Sequence, residues 1–143
     1  MSRIKIEMPE FFSFNTSFPV RITDLNYGAH VGNDTVLSFI HEARVRFLKS
    51  LGYTELNLEG TGLIMSDVAI EFKKEIYYGE EIMASVAAMD FNRVGFDLVY
   101  KLEKNSGSSH ILLALAKTGM VCYDYSVKKI TNLPEAVRQK LAS

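Results

Sequence analysis

The fold of this chain is decided by residues 24–51, which read DLNYGAHVGNDTVLSFIHEARVRFLKSL. The first ten residues predict a polar loop, and Asn33 or Asp34 is suited to cap the helix that follows. Apolar residues then recur at intervals of three or four, as an amphipathic helix requires. They are Val36, Ile40, Ala43, Phe47 and Leu51. Gly52 supplies the stop signal, and the free N–H groups at the start of such a helix can polarise a carbonyl oxygen.

This helix is predicted to be buried on much of its circumference. Leu37, Phe39 and Leu48 widen the apolar arc to roughly half of the helical wheel, more than the single stripe of a surface helix. About 17 residues at 1.5 Å per residue give roughly 25 Å of helix, the width of about five strands spaced ~4.8 Å apart. One curved sheet could therefore wrap it.

The rest of the chain supplies the strands of an α+β fold. Residues 11–22 predict a first strand, in which Pro19 indicates an edge position or a bulge. After the helix, turn signals separate four more strand patterns, which predict an antiparallel meander. These patterns cover residues 63–76, 81–91, 96–103 and 110–125. A short terminal helix is expected at residues 134–141.

Composition points to a single domain that covers residues 1–143. The 16 basic and 17 acidic residues nearly balance, and no basic block forms a track for nucleic acid. No signal-peptide core and no apolar run long enough to span a bilayer are present, so we expect a cytoplasmic protein without a membrane partner. The single cysteine, Cys122, is expected to be a buried packing thiol.

The order of elements resembles the hotdog fold, in which a five-stranded antiparallel sheet wraps one long central helix. Residues 24–33 look like the Asp-x-Asp-x-x-x-His-Val-Asn-Asn signature of the 4-hydroxybenzoyl-CoA thioesterase-like family. Glu42-Ala43-Arg44 and the turn at residues 78–82 are similar to two further motifs of that family. The resemblance implies an acyl-CoA thioesterase that needs no cofactor.

The chain departs from the family pattern at its catalytic aspartate, where it carries Asn26. An amide cannot take a proton at neutral pH and is a poor nucleophile, so the usual role cannot be transferred. Asn26 could instead orient a water molecule or donate a hydrogen bond to the substrate carbonyl. Gly28 stands where plant members often carry a second asparagine.

Three carboxylates could replace the missing one, and the sequence leaves the choice open. Asp24 either acts as a base or braces the loop, whereas Asp34 is most simply a residue of the helix start. Glu42 either takes the role that a helix glutamate has in other hotdog thioesterases or forms a solvated pair with Arg46. If Glu42 is the base, Glu42→Gln lowers turnover without unfolding the protein, whereas Asn26→Asp keeps or raises activity.

The remaining site residues follow from the chemistry of a thioester. His30 either orients the thioester and assists the leaving thiolate or only bonds the backbone, and an N–H near Val31 or Gly32 polarises the carbonyl. Residues expected to contact substrate are Tyr27, Gly28, Val31, Gly32, Phe39, Met65 and Phe72. Candidate partners for the phosphates of coenzyme A are Lys73, Lys74, Arg93, Lys101, Lys104 and Lys117. No spacing of His41 or His110 suggests a metal site.

Arg44 lies inside the apolar arc of the helical wheel, where a guanidinium must snorkel or find a carboxylate. We therefore expect a buried Arg44 that pairs with Asp24, Asp67 or Glu71.

Two rival functions and an oligomer complete the predictions. The first rival is an acyl-CoA or acyl-group binding protein that does not hydrolyse, which the Asn26 substitution favours. The second is a hotdog dehydratase or hydratase, which ranks lower because the His-Phe-Pro start of that branch is absent. A sheet with an uncovered edge predicts a homodimer or homotetramer.

Overall fold

A computed structural model describes residues 3–143 of the chain. Two helices and six strands follow one another in an order close to the predicted one. They are β1 (Phe14–Pro19), α1 (Asn33–Ser50), β2 (Gly62–Phe72), β3 (Glu81–Met89), β4 (Gly95–Ser106), β5 (Ser109–Asp124), β6 (Lys129–Ile130) and α2 (Glu135–Ala142). A 3-10 turn at Ile22–Asp24 precedes the loop that leads into α1.

The start of α1 differs from the prediction by one residue. Gly32 is the N-cap residue, with the extended backbone that this position requires, and no side chain caps the helix. Asn33 and Asp34 are therefore the first two residues of α1 rather than its cap, and the charge of Asp34 faces the favourable end of the helix dipole. The predicted stop is confirmed, because Gly52 follows the helix with a φ of 85°.

The sheet is antiparallel throughout, and its strands lie in the order β1, β3, β4, β5, β2, with β6 paired to β5. The prediction that β2 to β5 form one meander is wrong for β2, which pairs with β5 and not with β3. Residues 73–80 are too long a connection for a tight hairpin. They cross the start of α1, where the Ile76 carbonyl accepts the Val31 N–H at 2.8 Å, and they carry the chain to the other half of the sheet.

The concave face of the sheet packs on α1, which is the arrangement that the hotdog resemblance implies. On β4 the predicted alternation is confirmed: the inward side chains are buried, and these are Phe96, Leu98, Tyr100 and Leu102. On α1 the predicted apolar stripe is buried at Val36, Ile40, Ala43 and Phe47. Leu37 was predicted to join it but stays 36% exposed, so the buried arc is narrower than the wheel suggested.

Arg44 is buried as predicted, at 6% exposure, but none of its three predicted partners contacts it. Its Nε donates to Glu55 Oε2 at 2.8 Å, and its Nη1 donates to the Tyr100 hydroxyl at 3.3 Å. That hydroxyl lies 2.7 Å from the Thr118 hydroxyl, and the other Glu55 oxygen lies 2.7 Å from His41 Nε2. Sequence reasoning missed Glu55 because it lies in the irregular segment after α1, where no periodicity marks it.

Two further predictions are tested by the structure. Cys122 is fully buried, and burial raises the pKa of its thiol, so its role as a packing residue is confirmed. No helix within residues 3–143 has the length and apolar character to cross a membrane.

Candidate functional site

The loop before α1 is a tight turn held by its own backbone. The Asn26 N–H donates to the His30 carbonyl at 2.8 Å, and the Ala29 N–H donates to the Asn26 carbonyl at 3.1 Å. Ala29 takes a φ of 64°, which is uncommon for a residue with a side chain. The turn therefore has a defined shape that sets the positions of Asn26 and His30.

Asn26 is fixed by the glycine that follows it. Its side-chain oxygen accepts the Gly28 N–H at 2.7 Å, which turns the amide nitrogen away from that side of the loop. A β-carbon on Gly28 would meet Asn26 Oδ1 at 3.2 Å and His30 Nε2 at 3.3 Å. The absence of a side chain at Gly28 thus lets the Asn26 amide and the His30 ring lie against the same stretch of backbone.

His30 Nδ1 lies 3.1 Å from the Val31 carbonyl. This contact matches the interpretation of His30 as a histidine that bonds the backbone. The ring also lines a cavity described below, so the contact does not remove it from the site.

The backbone N–H groups where the loop meets α1 differ in whether they have an acceptor. The Val31 N–H is engaged by the Ile76 carbonyl, so of the two amides named in the sequence analysis only that of Gly32 is free. Within residues 3–143 the N–H groups of Gly32, Asn33 and Asp34 have no hydrogen-bond acceptor. The Gly32 carbonyl accepts from Thr35 and Val36, which orients this first turn. The helix start can therefore donate to an oxygen that carries partial negative charge.

A cavity of about 210 Å³ lies beside this helix start. Three parts of the chain form its apolar wall: α1, the end of β2 with the segment after it, and β5. Two lysines are also among the lining residues. Those residues are His30, Val31, Asn33, Val36, Phe72, Lys73, Lys74, Glu75, Ile76, Leu113 and Ala114. Sequence reasoning missed Val36, Leu113 and Ala114 as lining residues, because separate elements bring them together only in the folded chain.

A second cavity of about 250 Å³ lies between β1 and α1. It contains Asp24 and Glu42, both catalytic candidates from the sequence, and each carboxylate already has a partner. Asp24 Oδ2 accepts the Arg21 N–H at 2.8 Å, and Glu42 Oε2 accepts from Arg46 Nε at 2.7 Å. The other lining residues are Phe18, Pro19, Ser38 and Phe39. Asp24, Glu42 and Phe39 thus line a different cavity from the one that Asn33 lines at the helix start.

The remaining predicted contacts lie outside both cavities. Tyr27 is fully exposed at the tip of the loop, and Met65 is 41% exposed on β2. Among the phosphate candidates, Lys73 and Lys74 line the cavity beside the helix start. Four others are occupied elsewhere: Arg93 by Asn132, Lys101 by the Phe12 ring, Lys104 by Glu80 and Lys117 by Asp67.

No group of three or more His, Cys, Asp or Glu side chains between residues 3 and 143 is placed to hold a metal ion. The polar groups that the structure brings to the helix start are amide donors, Asn26, His30 and the carboxylate of Asp34.

Comparison with solved structures finds the same fold in known thioesterases. A 1,4-dihydroxy-2-naphthoyl-CoA thioesterase from Synechocystis matches with a TM-score of 0.79 at 21% identity, over 90% of this chain and 94% of that chain. A thioesterase-superfamily protein from Jannaschia gives 0.81 at 20% identity, over 93% and 83%. An aspartate-to-asparagine mutant of 4-hydroxybenzoyl CoA thioesterase, complexed with 4-hydroxybenzoyl CoA, gives 0.80 at 13% identity, over 90% and 98%. At these identities the likeness shows the hotdog fold.

No curated relative matches the chain. The sequence profile of the thioesterase-like superfamily, in contrast, matches residues 20–141, which include the loop, both helices and every strand after β1. The chain therefore belongs to the thioesterase-like superfamily.

Proposed function

We propose that the protein hydrolyses acyl-CoA thioesters at the start of α1. The observation that carries this proposal is the set of free N–H groups at Gly32, Asn33 and Asp34 beside a cavity with an apolar wall. Membership of the thioesterase-like superfamily and the acyl-CoA thioesterases among its structural neighbours support the same substrate class.

In this proposal the thioester carbonyl oxygen accepts hydrogen bonds from the helix start. Negative charge develops on that oxygen as water attacks the carbonyl carbon, and amides that are already oriented stabilise it without reorganisation. Asn26 holds the substrate or the water through its amide nitrogen, because its oxygen is engaged by Gly28. His30 lies close enough to Asn26 to assist the departing thiolate.

The cavity beside the helix start takes the acyl group, with Phe72 in its wall. Lys73 and Lys74, which line this cavity, are then the candidate cations for the phosphates of coenzyme A, and Lys73 Nζ would exchange its 3.2 Å contact with Glu71 Oε1 for a phosphate. Tyr27 and Met65 contact substrate only where it extends over the loop or along β2. Phe39 contacts the acyl group only if that group enters the second cavity. Asp24 and Glu42 remain candidate bases in that cavity.

The test is a thiol-release assay with the purified full chain and a panel of short, long and aromatic acyl-CoA substrates. We expect release of coenzyme A from at least one class, without added metal or cofactor. Binding of acyl-CoA to the same preparation, measured by calorimetry, serves as the control for a competent site. Binding without thiol release across the panel would contradict hydrolysis.

That contradicting result defines the second candidate function, an acyl-CoA binding protein that does not hydrolyse. The specific observation in its favour is that Asn26 stands at the aspartate position, while Asp24 and Glu42 are both bonded within the chain. One similar structure is itself an aspartate-to-asparagine mutant complexed with its acyl-CoA, so a carboxamide in a hotdog protein is compatible with substrate binding.

We also propose that the protein forms a homodimer or homotetramer. Strand β2 ends the sheet opposite β1, and Met65 and Val68 on it are 41% and 40% exposed. An exposed edge strand with apolar side chains favours pairing with a second copy. Light scattering at micromolar concentration is expected to give a multiple of the 16.1 kDa chain mass, and a single monomer peak would contradict the proposal.

A further inference from the structure

Gly32 leaves a space at the start of α1 that two polar side chains share. A β-carbon on Gly32 would lie 2.7 Å from Asp34 Oδ1 and 3.6 Å from Asn26 Nδ2. Both side chains therefore reach the same point beside the free N–H groups of the helix start. Gly32 itself is buried, whereas Asp34 is exposed and open to solvent water.

Asp34 differs from the other candidate carboxylates in what it bonds. Asp24 is engaged by the backbone of Arg21, and Glu42 is engaged by the guanidinium of Arg46. Within residues 3–143 the Asp34 carboxylate has no ion pair and accepts no hydrogen bond. Its lone pairs are therefore free to bind a water molecule.

The distance along α1 also distinguishes Asp34 from Glu42. At 1.5 Å per residue, Glu42 lies about 12 Å further along the axis of α1 than Asp34. A carbonyl that accepts from the first amides of α1 is therefore within reach of the Asp34 side chain but not of Glu42 on the same protomer.

We propose that Asp34 supplies the carboxylate that the Asn26 position lacks and acts as the catalytic base for water. This inference rests on the proposed acyl-CoA hydrolysis. Asp34 takes a proton from water as the water oxygen bonds to the thioester carbonyl carbon, and the carbonyl electron pair moves to the oxygen held by the helix start. When the carbonyl re-forms, the carbon–sulfur bond breaks and the thiolate leaves. The proton on Asp34 then passes to the thiolate, which gives free acid and thiol.

The first test is Asp34→Asn, which keeps the side-chain volume and removes the charge. With the best substrate of the parent protein, we expect kcat to fall about a hundredfold or more, as for loss of a general base, with little change in KM. Glu135→Gln is the matched control, because Glu135 stands in the first turn of α2, and it is expected to keep the parent kcat.

The second test displaces the carboxylate without removing it. Gly32 has a φ of −76°, which alanine adopts freely, and the new β-carbon in Gly32→Ala would push Asp34 Oδ1 away from its position. We expect Gly32→Ala to lower kcat in the parent. In a protein that already carries Asp34→Asn, Gly32→Ala should lower kcat no further, because the carboxylate that it displaces is absent. An equal loss in both backgrounds would show that the methyl group obstructs substrate and would overturn this part of the inference.

The outcomes separate the two proposals. If the parent hydrolyses acyl-CoA and Asp34→Asn keeps the parent kcat, Asp34 is not the base and hydrolysis stands. If, in addition, Glu42→Gln abolishes turnover, the base is Glu42. A parent that binds acyl-CoA and releases no thiol overturns both hydrolysis and the role of Asp34.

Discussion

Replacing Glu55 by alanine is expected to lower the free energy of unfolding by about 3 kcal/mol, the lower end of the range for breaking a buried ion pair. Among residues 3–143, the variant leaves the buried Arg44 guanidinium with the Tyr100 hydroxyl as its one acceptor. We place the loss at the lower end because the Glu55 side chain is itself 26% exposed. Urea denaturation followed by circular dichroism measures it.

The matched variant is Arg44→Met, which fills the same space without a charge. Glu55 then keeps His41 and solvent as partners, so the expected loss is smaller. Adding Arg44→Met to Glu55→Ala should recover much of the stability, since the unpaired buried charge is removed. If the losses in free energy of unfolding from Glu55→Ala and Arg44→Met simply add in the double variant, an unpaired Arg44 charge is not the cause of the Glu55→Ala loss.

The ion pair between Arg44 and Glu55 also predicts how the stability of the protein depends on pH. Burial would raise the pKa of Glu55, but hydrogen bonds from Arg44 and His41 outweigh it and hold that pKa below its ordinary value. The stabilisation from the Arg44–Glu55 pair is therefore complete when the pH is above the ordinary carboxyl pKa. It is lost as the pH falls through the lowered pKa of Glu55. Glu55→Ala should show a weaker loss of stability over that acidic range than the parent.

Replacing Gly95 by alanine is expected to cost about 3 kcal/mol or more, above the usual penalty for overpacking. A β-carbon there would lie 1.9 Å from the Met120 carbonyl oxygen, on the neighbouring strand β5. Backbone cannot move aside as a side chain can, so the start of β4 must separate from β5. The loss would appear as a lower midpoint in urea.

Gly62→Ala is the control for this prediction. Its β-carbon would meet the Tyr125 ring at 2.5 Å, which is the movable part of a half-exposed side chain. We expect a much smaller loss than at Gly95. Equal losses at the two glycines would show that the close approach of β4 and β5 is not what requires glycine.

Much of the fold could be predicted because its signals are periodic. The spacing of apolar residues located α1 to within a residue of its bounds, and the alternation on β4 identified the buried face. The position of β2 could not be predicted in the same way, since nothing local distinguishes pairing with β3 from pairing with β5. That choice depends on residues 73–80 crossing the start of α1, which is a contact between distant parts of the chain.

Part of the candidate site could be located from the sequence, because its residues share one short loop motif. The loop motif led to Asn26 and His30, and the structure brings these two side chains together around Gly28. Glu42 and Asp24 were plausible as carboxylates, but both line a different cavity from Asn33 at the helix start, and both are bonded within the chain. Asp34 was interpreted as a helix-start residue, because the space beside Gly32 becomes apparent only when the loop and the helix are folded together.

The proposed hydrolysis depends on the thioester carbonyl binding at the first amides of α1. A crystal structure of the protein with an acyl-CoA ketone analogue, in which a methylene group replaces the sulfur, tests it most directly. The account predicts the carbonyl oxygen about 2.7–3.1 Å from the amide nitrogen of Gly32, Asn33 or Asp34, with Asp34 beside the carbonyl carbon. A carbonyl bound instead in the cavity of Asp24 and Glu42 would contradict it.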